Sequence, residues 1–346
     1  MESRQRPPTV ADIARRAGVS KAAVSFALNG RPGVSAQTRQ RILAIARELN
    51  WRPNSAARAL GQARAGAIGF VLNRPARILG TETFFPELLS GIQLGLSPGH
   101  TALQMLVVTS LEEELETYRE WWQARRVDGV ILVDPRRDDP RPALLGQLGL
   151  PAVQIGSRPS AHPAVPAVWV DDAEAARTLF GYLGALGHRR IAHIAGAAEF
   201  EHTLLRVQSL QECAQQLGLE WAQSLPSDYS AEAAADRTRR LLSAARPPTA
   251  IVYDSDVMAA AGLRVAHEMG ATVPGALSLA SFDDSLLVRL VHPAITSLTR
   301  DTVELGELAA RTLLARLAGE DAPAGSVPGP ALRLSVREST APPRRG

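Results

Sequence analysis

The stretch "RAGVSKAAVSFALNG", residues 16–30, combines side chains that could contact a partner molecule. Lys21 is the only lysine among the 38 basic residues of the 346-residue chain. It begins a short predicted helix that is entered through a turn at Gly18 and continues through two alanines to Phe26. An ammonium group suits contact with an anion or with a hydrogen-bond acceptor. The stretch therefore predicts a binding surface.

Basic charge is concentrated around this stretch. Residues 1–64 contain 12 Lys and Arg against 3 Asp and Glu, a balance of +9, whereas the rest of the chain has 26 against 32, a balance of −6. A basic segment of this kind indicates contact with a polyanion. The segment is regularly patterned, which argues against a disordered basic tail.

Several classes of function are excluded by what the sequence lacks. With Cys213 as the one cysteine, neither an intramolecular disulfide framework nor a thiolate metal cluster can form, and we interpret it as a buried thiol. Apolar runs are too short to span a bilayer, and the N-terminus lacks the apolar core of a signal peptide, so we expect a cytoplasmic protein with no membrane partner. Paired carboxylates at a plausible spacing, a nucleophile elbow and an H-x-x-x-H pattern are missing as well. We therefore expect no enzyme, no catalytic residue and no metal site.

Three short helices are predicted to position the basic segment. Thr9 and Asp12 form a capping box for the first helix, Gly18 ends it, and Ser20 caps the second. The third helix, capped by Ser35, lies in "VSAQTRQRILAIARELNW". A small core is predicted from Ile13, Val24, Leu28, Ile42, Ile45, Ala46 and Leu49. The spacing is that of a helix-turn-helix, although any corner between two helices could imitate it.

Beyond residue 65, short apolar runs alternate with amphipathic stretches, which predicts parallel sheets covered by helices on both faces. The predicted strands are "AIGFVL", "ALQMLVV", "DGVILVD" and "PAVQIG" in a first series, and "AVWVDD", "RIAHIAG", "TAIVYDSD" and "LSLASFDD" in a second. The predicted helices cover about 86–96, 113–125, 173–186, 204–217, 231–244 and 256–269. Two such series predict two doubly wound subdomains with a cleft at the carboxyl ends of their strands. Because a G-x-G-x-x-G motif and a P-loop are missing from the sequence, we expect no cofactor.

The segment "TVADIARRAGVSKAAVSFALNGRPGVSAQTRQRILAIARELNWRPNSAARAL" resembles the DNA-binding head and hinge of the lactose-repressor (LacI/GalR) family. The resemblance implies a ligand-responsive transcriptional regulator, most often a repressor, that binds a pseudo-palindromic double-stranded DNA operator as a dimer. In that family the second helix enters the major groove, and the hinge helices fold on the operator.

The resemblance also implies which residues contact DNA. The base-reading positions fall on Lys21, Ala22 and Phe26. The residues at or beside phosphate contacts are Thr9, Ser20, Ala23, Ser25, Asn29 and Asn54. The hinge positions that enter the minor groove are Ala57 and Arg58, with Leu60 as the apolar wedge that bends the DNA.

Phe26 departs from the family, which more often has Arg or His at this position. A phenyl ring can touch a thymine methyl group but cannot hydrogen-bond guanine, and Ala22 offers only apolar contact. Lys21 is therefore expected to make the one strong polar contact of this face, to a base or to a phosphate. The alternative for Phe26 is a core residue that is turned inward.

The rest of the chain resembles, more loosely, the periplasmic-binding-protein-like effector domain of the same family, in pieces such as "LGHRRIAHIAG" and "HPAITSLTRD". Such folds cross between subdomains three times, here near Val168, Ser297 and Gly325. The implied order is a head over 1–52, a hinge over 53–64, an effector-binding and dimerisation domain over 65–340 and a disordered tail over 341–346. Subdomain 1 would cover about 65–168 and 298–325, and subdomain 2 about 169–297 and 326–340.

Effector contacts are implied by position in the same way. The residues are Phe84, Phe85, His202, Arg206, Tyr229 and Asp256. Asp256 matches an acidic residue that bonds sugar hydroxyls or a base edge, and a helix-capping role is compatible with this. Arg206 matches an effector-binding arginine, with a structural ion-pair partner as the alternative. Tyr229 matches a ring that stacks on the ligand, and we expect one of the two phenylalanines to be a core residue.

Some residues near the expected cleft depart from the family. Ser255 replaces a usual asparagine before Asp256, and the loop "RPARILGTETFF" is longer than usual. A carbohydrate is the expected effector, and the alternatives are a nucleoside or base effector, or action as an activator. An enzyme acting on a sugar and a simple sugar-binding protein are the competing interpretations. The leucine heptad of tetrameric relatives is missing from the final "ESTAPPRRG", which favours a homodimer.

Overall fold

A computed structural model describes residues 8–28, 30–51, 64–75, 79–156, 165–319 and 326–344. The chain forms two compact units, Met1–Ala65 and Gly66–Gly346. Within the described ranges, every helix is too short or too polar to cross a membrane.

The first unit contains the three predicted helices. They are α1 Val10–Ala17, α2 Lys21–Leu28 and α3 Ala36–Glu48. The backbone N–H and the hydroxyl of Thr9 both donate to Oδ2 of Asp12, at 2.9 and 2.7 Å, and hold the start of α1. Gly18 ends α1 at φ 65°, in the left-handed region that costs glycine little. Ser20 caps α2, because its Oγ accepts from the N–H of Ala23 at 3.1 Å.

A small apolar core holds these helices together. Its buried members are Ile13, Ala14, Ala17, Val24, Ala27, Ile42 and Ala46. The predicted core residues Leu28, Ile45 and Leu49 pack at its edge and are partly buried. The predicted three-helix head is therefore confirmed.

The second unit is built on two six-stranded sheets. The first consists of β1 Ala67–Asn73, β2 Ala102–Val108, β3 Gly129–Leu132, β4 Ala152–Gly156, β5 Ala167–Trp169 and β11 Val327–Pro328. The second consists of β6 Arg190–Ala195, β7 Trp221–Pro226, β8 Ala250–Tyr253, β9 Ser278–Ser281, β10 Thr296–Thr299 and β12 Arg333–Ser335. The helices are α4 Phe84–Leu96, α5 Leu111–Gln123, α6 Arg141–Leu148, α7 Asp172–Ala185, α8 Glu201–Gln216, α9 Ala231–Leu242, α10 Asp256–Glu268, α11 Leu286–Leu290 and α12 Thr302–Ala318.

The two sheets repeat one topology. Their strand orders are β11-β5-β4-β3-β1-β2 and β12-β10-β9-β8-β6-β7. The strand pairs are parallel except for β10 with the edge strand β12, which are antiparallel. In each sheet the chain order reverses beside the first strand, between β1 and β3 and between β6 and β8. Such switch points are where open α/β sheets bind ligands, and the predicted pair of doubly wound subdomains is confirmed.

Both faces of each sheet are covered, and β1 shows how. Ile68, Phe70 and Leu72 contribute to one apolar core, whereas Val71 contributes to the core on the other face. Because side chains alternate along a strand, a nearly continuous apolar run is what burial on both faces requires. The parallel order thus follows from the composition of the strands.

The crossings between the subdomains differ in detail from the predicted positions. Strand β10 pairs in the second sheet, so the second crossing follows Thr299 rather than Ser297. Strand β11 pairs with β5 in the first sheet, so the third crossing lies between Pro328 and Arg333. The predicted crossing near Gly325 falls outside the described residues and is too early, because two residues beyond it the chain is still in the first sheet.

The predicted disordered tail is partly ordered. The N–H of Ala341 donates to Oγ of Ser278 at 3.1 Å, and its carbonyl oxygen lies 3.1 Å from Nε2 of His188. The prediction of disorder over 341–344 is therefore wrong, because the backbone there completes hydrogen bonds with a buried serine and a buried histidine.

Candidate functional site

One face of α2 is exposed in the first unit. Lys21, Ala22, Ser25 and Phe26 are all exposed, whereas Val24 is buried in the core. Residues four apart on a helix are neighbours, so these four side chains form one patch. The three residues expected to read bases thus share one accessible surface.

Phe26 belongs to this surface and not to the core. Its side chain is 38 % exposed and lies outside the apolar cluster of the head. The ring packs beside Gly33, where an added Cβ would lie 3.2 Å from Cδ2 of the ring. The alternative of a core residue that is turned inward is therefore wrong, because the core of the head is filled by other side chains.

The remaining residues expected to contact DNA are only partly described. Thr9 and Ser20 are exposed residues that also cap α1 and α2, and Ala23 is half-buried beside them. Outside the described residues lie Asn29, Asn54, Ala57, Arg58 and Leu60.

In the second unit, a cavity lies between the two subdomains at the carboxyl ends of their strands. Arg74 follows β1 and Asp134 follows β3, on either side of the first switch point. Asp254 follows β8 at the second switch point, and Asp283 follows β9. The topology therefore brings polar side chains from both sheets to one place.

The lining of this cavity is charged and aromatic. The charged residues are Arg74, Glu82, Asp134, Asp172, Arg206, Asp254, Asp283 and Arg300. The ring-bearing residues are Phe84, Phe85, His202 and Tyr229. The cavity volume is about 60 Å³, well below the roughly 300–1,000 Å³ of usual ligand sites. The subdomains are thus closed on one another in this conformation.

Arg206, on α8, is the centre of a buried ion-pair network. Its Nη2 donates to Oδ1 of Asp172 at 2.9 Å, and its Nη1 donates to Oδ1 of Asp254 at 3.0 Å. Its guanidinium carbon lies 4.2 Å from the ring centroid of Phe282. Burial would raise the pKa of Asp254, but Arg206 and His193 hold that pKa well below its usual value. The carboxylate is therefore ionised at neutral pH.

Asp254 also belongs to a hydrogen-bonded row of a serine, a histidine and an aspartate. His193 Nε2 is 2.9 Å from Oδ1 of Asp254, and its Nδ1 is 3.0 Å from Oγ of Ser224. The imidazole is fully buried, and neither His193 nor Ser224 lines the cavity. The trio therefore links β6, β7 and β8 and presents no nucleophile to a substrate.

Arg74 connects the two subdomains across the cavity. Its Nε donates to Oδ2 of Asp134 in its own subdomain at 2.9 Å. Its guanidinium carbon lies 4.2 Å from the ring centroid of Phe200 and 4.5 Å from that of Tyr229, both in the other subdomain. Guanidinium groups at this distance from ring faces are attracted to them. Arg74 thus occupies the aromatic part of the cleft.

Tyr229 is itself fixed by its neighbours. Its hydroxyl lies 2.7 Å from Nε2 of His202 and 3.3 Å from Oγ1 of Thr203. Burial and the nearby Arg206 lower the pKa of His202 to about 4, so its imidazole is neutral at pH 7. Gly196 lies against the tyrosine ring, with no room for a side chain.

Two further contacts cross the cleft. Thr83, just before α4, donates from Oγ1 to Oδ2 of Asp256 at 3.1 Å. Arg300 donates to Oδ1 of Asp283 at 3.1 Å and lies 4.8 Å from the ring centroid of Phe84. Closure is thus held by polar and cation–π contacts.

Glu82 differs from the other carboxylates of the lining. It is 7 % exposed, and its carboxyl group forms no hydrogen bond or ion pair with another described residue. Burial raises the pKa of Glu82 to about 8, against the lowering effect of Arg74. Burial also raises the pKa of Asp283 to about 6, although Arg300 opposes this. The cavity therefore contains a carboxyl group that is largely protonated at pH 7.

Both units resemble known proteins. Residues 9–54 match the model of bacterial regulatory proteins of the lacI family, and residues 180–340 match a periplasmic binding protein-like domain. The HTH-type transcriptional regulator CelR of Thermobifida fusca is 33% identical over 322 residues, which cover 92% of this chain and 94% of CelR. The chain belongs to the LacI family. It is a DNA-binding transcriptional regulator and not an enzyme.

Solved structures of LacI-family proteins extend the similarity over almost the whole chain. A CelR–cellobiose complex is 30% identical, with a TM-score of 0.72, and the match covers 96% of this chain and 99% of that one. A lac repressor dimer bound to operator and the anti-inducer ONPF is 25% identical, with a TM-score of 0.84, and the match covers 97% and 100%.

In this LacI-family chain, most of the residues expected to contact the effector lie together. The cavity is lined by Phe84, Phe85, His202, Arg206 and Tyr229. Phe85 is the buried member of the phenylalanine pair, as expected for a core residue. Asp256 is not among the lining residues, because it is buried at the start of α10 and bonded to Thr83.

Other lining residues were not expected from the resemblance. Arg74, Glu82, Asp134 and Asp254 belong to this group. Arg74, Asp134 and Asp254 come one or two residues after a buried strand, so a charged residue at the carboxyl end of a strand is the signal that could have identified them. Glu82 lies just before α4, nine residues beyond β1, and has no such signal.

Proposed function

We propose that this LacI-family regulator is a repressor whose affinity for a pseudo-palindromic operator is controlled by a small carbohydrate bound between the two subdomains. The observation that carries the proposal is the cavity lining, in which carboxylates and guanidinium groups stand beside aromatic rings. Carboxylates accept hydrogen bonds from hydroxyl groups, guanidinium groups donate to them, and a ring packs on the apolar face of a sugar.

The volume of the cavity implies that binding moves the subdomains. Ligand sites usually measure about 300–1,000 Å³, whereas this cavity measures about 60 Å³. Opening would separate Arg74 from Tyr229 and Thr83 from Asp256. Asp256 would then gain a free carboxylate oxygen for a sugar hydroxyl. Effector binding is thereby coupled to the angle between the subdomains.

For the head, we propose that Lys21, Ala22 and Phe26 face the bases in the major groove. Their shared exposure on α2 supports this assignment. Flanking phosphate contacts are proposed for Thr9, Ser20, Ala23, Ser25, Asn29 and Asn54. Minor-groove contacts are proposed for the hinge residues Ala57, Arg58 and Leu60. Lys21 is the one cation on this face, so its loss should weaken operator binding more than the loss of either apolar neighbour.

A homodimer is proposed from the apolar surface of the second unit. Met105, Leu106 and Val107 are exposed on β2, which is an edge strand of the first sheet, and Leu94 is exposed on α4. An exposed apolar edge strand is a site for self-association unless another chain covers it. A symmetric dimer would match the two-fold symmetry of a pseudo-palindromic operator.

A thermal-shift screen tests the effector proposal. The full chain is heated with a panel of mono- and disaccharides, including cellobiose, and with a matched panel of nucleosides. We expect at least one sugar to raise the midpoint, because a ligand at 100 times its Kd stabilises the folded state by about 2.7 kcal/mol. Tyr229→Ala should abolish the shift, whereas Trp122→Ala, at an exposed ring in the first subdomain, should leave it unchanged.

If only a nucleoside raises the unfolding midpoint, the effector is a nucleoside and not a carbohydrate. If no compound raises it, the proposal that the cavity binds the effector is contradicted. Repression is tested separately, by transcription from the chain's own promoter with and without the bound sugar. Increased transcription on addition of the chain would identify an activator instead.

A further inference from the structure

We propose that the effector is a cation, a small amino sugar whose protonated amine binds where the guanidinium of Arg74 now lies. The inference rests on the proposed carbohydrate site and narrows its ligand class. It follows from two observations, the charge balance of the lining and the position of Arg74.

The lining contains more carboxyl groups than guanidinium groups. Its ion pairs are Arg74–Asp134, Arg206–Asp172, Arg206–Asp254 and Arg300–Asp283. Glu82 is left over, more than nine-tenths buried, and faces the cavity without a partner among the described residues. A buried carboxylate is costly unless a positive group or several donors approach it. Glu82 is therefore kept largely protonated at pH 7, and a ligand with a positive charge would supply the partner that its ionised form lacks.

Arg74 already shows that the site accommodates a cation. Its guanidinium lies near the faces of Phe200 and Tyr229, and its Nε is bonded to Asp134. Two ring faces and a carboxylate are a suitable environment for a protonated amine. Because Arg74 belongs to the first subdomain and both rings belong to the second, opening of the cleft withdraws the guanidinium from the rings.

A neutral sugar would not replace the cation that the two rings lose when Arg74 is withdrawn. Because Arg74, Asp134 and Glu82 all belong to the first subdomain, opening leaves the Arg74–Asp134 pair intact. The two rings lose their cation, and Glu82 stays without an ion-pair partner among the described residues. An ammonium group on the sugar replaces the lost charge, while the sugar ring occupies the face of Tyr229. The site thus discriminates between an amine and a hydroxyl at one position of the ligand.

The titration of Glu82 provides a signature of this event. Burial raises the pKa of Glu82 to about 8, Arg74 lowers it, and Asp283, Asp134 and Asp256 raise it further. A bound ammonium group favours the ionised carboxylate, so amine binding at pH 7 should release a proton from Glu82. Binding of a neutral sugar should release none.

Isothermal titration of the full chain tests the proposal with D-glucosamine, D-glucose and N-acetyl-D-glucosamine as probes. D-glucosamine should bind at least about tenfold more tightly than either neutral probe, as expected for one charge-assisted hydrogen bond. Glu82→Gln, which keeps the shape of the protonated side chain, should remove most of this preference. Glu112→Gln, at an exposed glutamate of α5, is the matched control and should preserve it.

Further arms distinguish the cation site from a simple steric plug. Arg74→Met should raise the affinity for D-glucosamine more than that for D-glucose, because it removes the internal cation. Titration at pH 7 in two buffers of different ionisation enthalpy should show a proton released with D-glucosamine that is missing in Glu82→Gln. Equal binding of D-glucose and D-glucosamine, an unchanged preference in Glu82→Gln, or no binding of the three probes would overturn the proposal. In each of these cases, a neutral sugar that raises the unfolding midpoint would still support the proposed carbohydrate function.

Discussion

Substitution of Arg206 by leucine removes the cation from the most buried ion-pair network of the cavity. The guanidinium bonds both Asp172 and Asp254, and all three side chains are at least nine-tenths buried. Leucine fills part of the volume but leaves two carboxylates without their positive partner. Removal of one partner from a buried ion pair costs about 3–5 kcal/mol.

The structure indicates how this cost is divided. Asp254 keeps the N–H of Gly196 at 2.7 Å and its contact with His193. Asp172 has no other ion pair among the described residues, so it should bear most of the loss. We expect Arg206→Leu to lower the free energy of unfolding by about 4 kcal/mol. With a urea slope of roughly 2–3 kcal/mol per M, the midpoint should fall by about 1.5–2 M.

Urea unfolding of the second unit at pH 7, followed by circular dichroism, measures this change. Arg177→Leu is the matched control, since Arg177 is exposed on α7 and bonds only the exposed Glu174 among the pairs of the described chain. It should cost less than about 1 kcal/mol. Equal losses in the two variants would refute the assignment of a buried network.

The same comparison has a definite pH dependence. The pKa of Asp254 is held below its unfolded value of about 3.9, so its ion pair contributes stability above that pH and loses it as the pH falls through the folded pKa. In Arg206→Leu, Asp254 has lost the guanidinium that lowers its pKa, so protonation relieves the buried carboxylate at a higher pH. The difference between wild type and variant should therefore shrink from pH 7 to pH 4, and a constant difference would contradict the electrostatic cause.

Three further predictions concern the head, the dimer and the cavity. Lys21→Ala should weaken binding to the chain's own promoter about tenfold to a hundredfold in a gel shift, whereas Arg119→Ala, exposed on α5, should not change it. Leu106→Glu should convert the dimer to a monomer in sedimentation velocity, because it places a charge on the exposed apolar edge strand; a dimer that persists would exclude this edge as the interface. Gly196→Ala should abolish sugar binding and cost about 1–3 kcal/mol, because its Cβ would overlap the ring of Tyr229; Gly181→Ala, with open space around it, should bind normally.

Much of the fold could be predicted from local signals. The capping pair Thr9 and Asp12 and the turn at Gly18 place α1 and α2 correctly, because these interactions are local in sequence. The apolar runs of β1 and β3 are recognisable because both of their faces are buried. Strand β7 was not expected, since its exposed edge position leaves "WAQSLP" without a continuous apolar run.

Helix α12 and strand β12 were missed for different reasons. Asp301 and Gly319 mark the two ends of α12, and this capping signal was present in the sequence. Strand β12 has only three residues and no apolar pattern of its own. It is formed because the third crossing brings it to the edge beside β10.

The sequence predicted the kind of site, a ligand cleft between two subdomains, better than it predicted which residues line it. Arg206 and Tyr229 could be assigned by position in the family, but the role of Arg74 depends on rings that lie more than a hundred residues away. No local pattern encodes a contact between two subdomains. Asp254 lines the cavity and Asp256 does not, although they are only two residues apart. The difference arises because β8 ends at Tyr253, directly before Asp254, whereas Asp256 begins α10.

We propose that operator binding and ligand binding in the cavity are coupled in one molecule. The most direct test of this coupling measures two affinities, that of the chain for its operator with and without the bound sugar, and that of the chain for the sugar with and without saturating operator. Linkage requires the two factors to be equal, and for a repressor that is released by its ligand both affinities should fall. A sugar affinity that is the same on and off the operator would contradict this coupling.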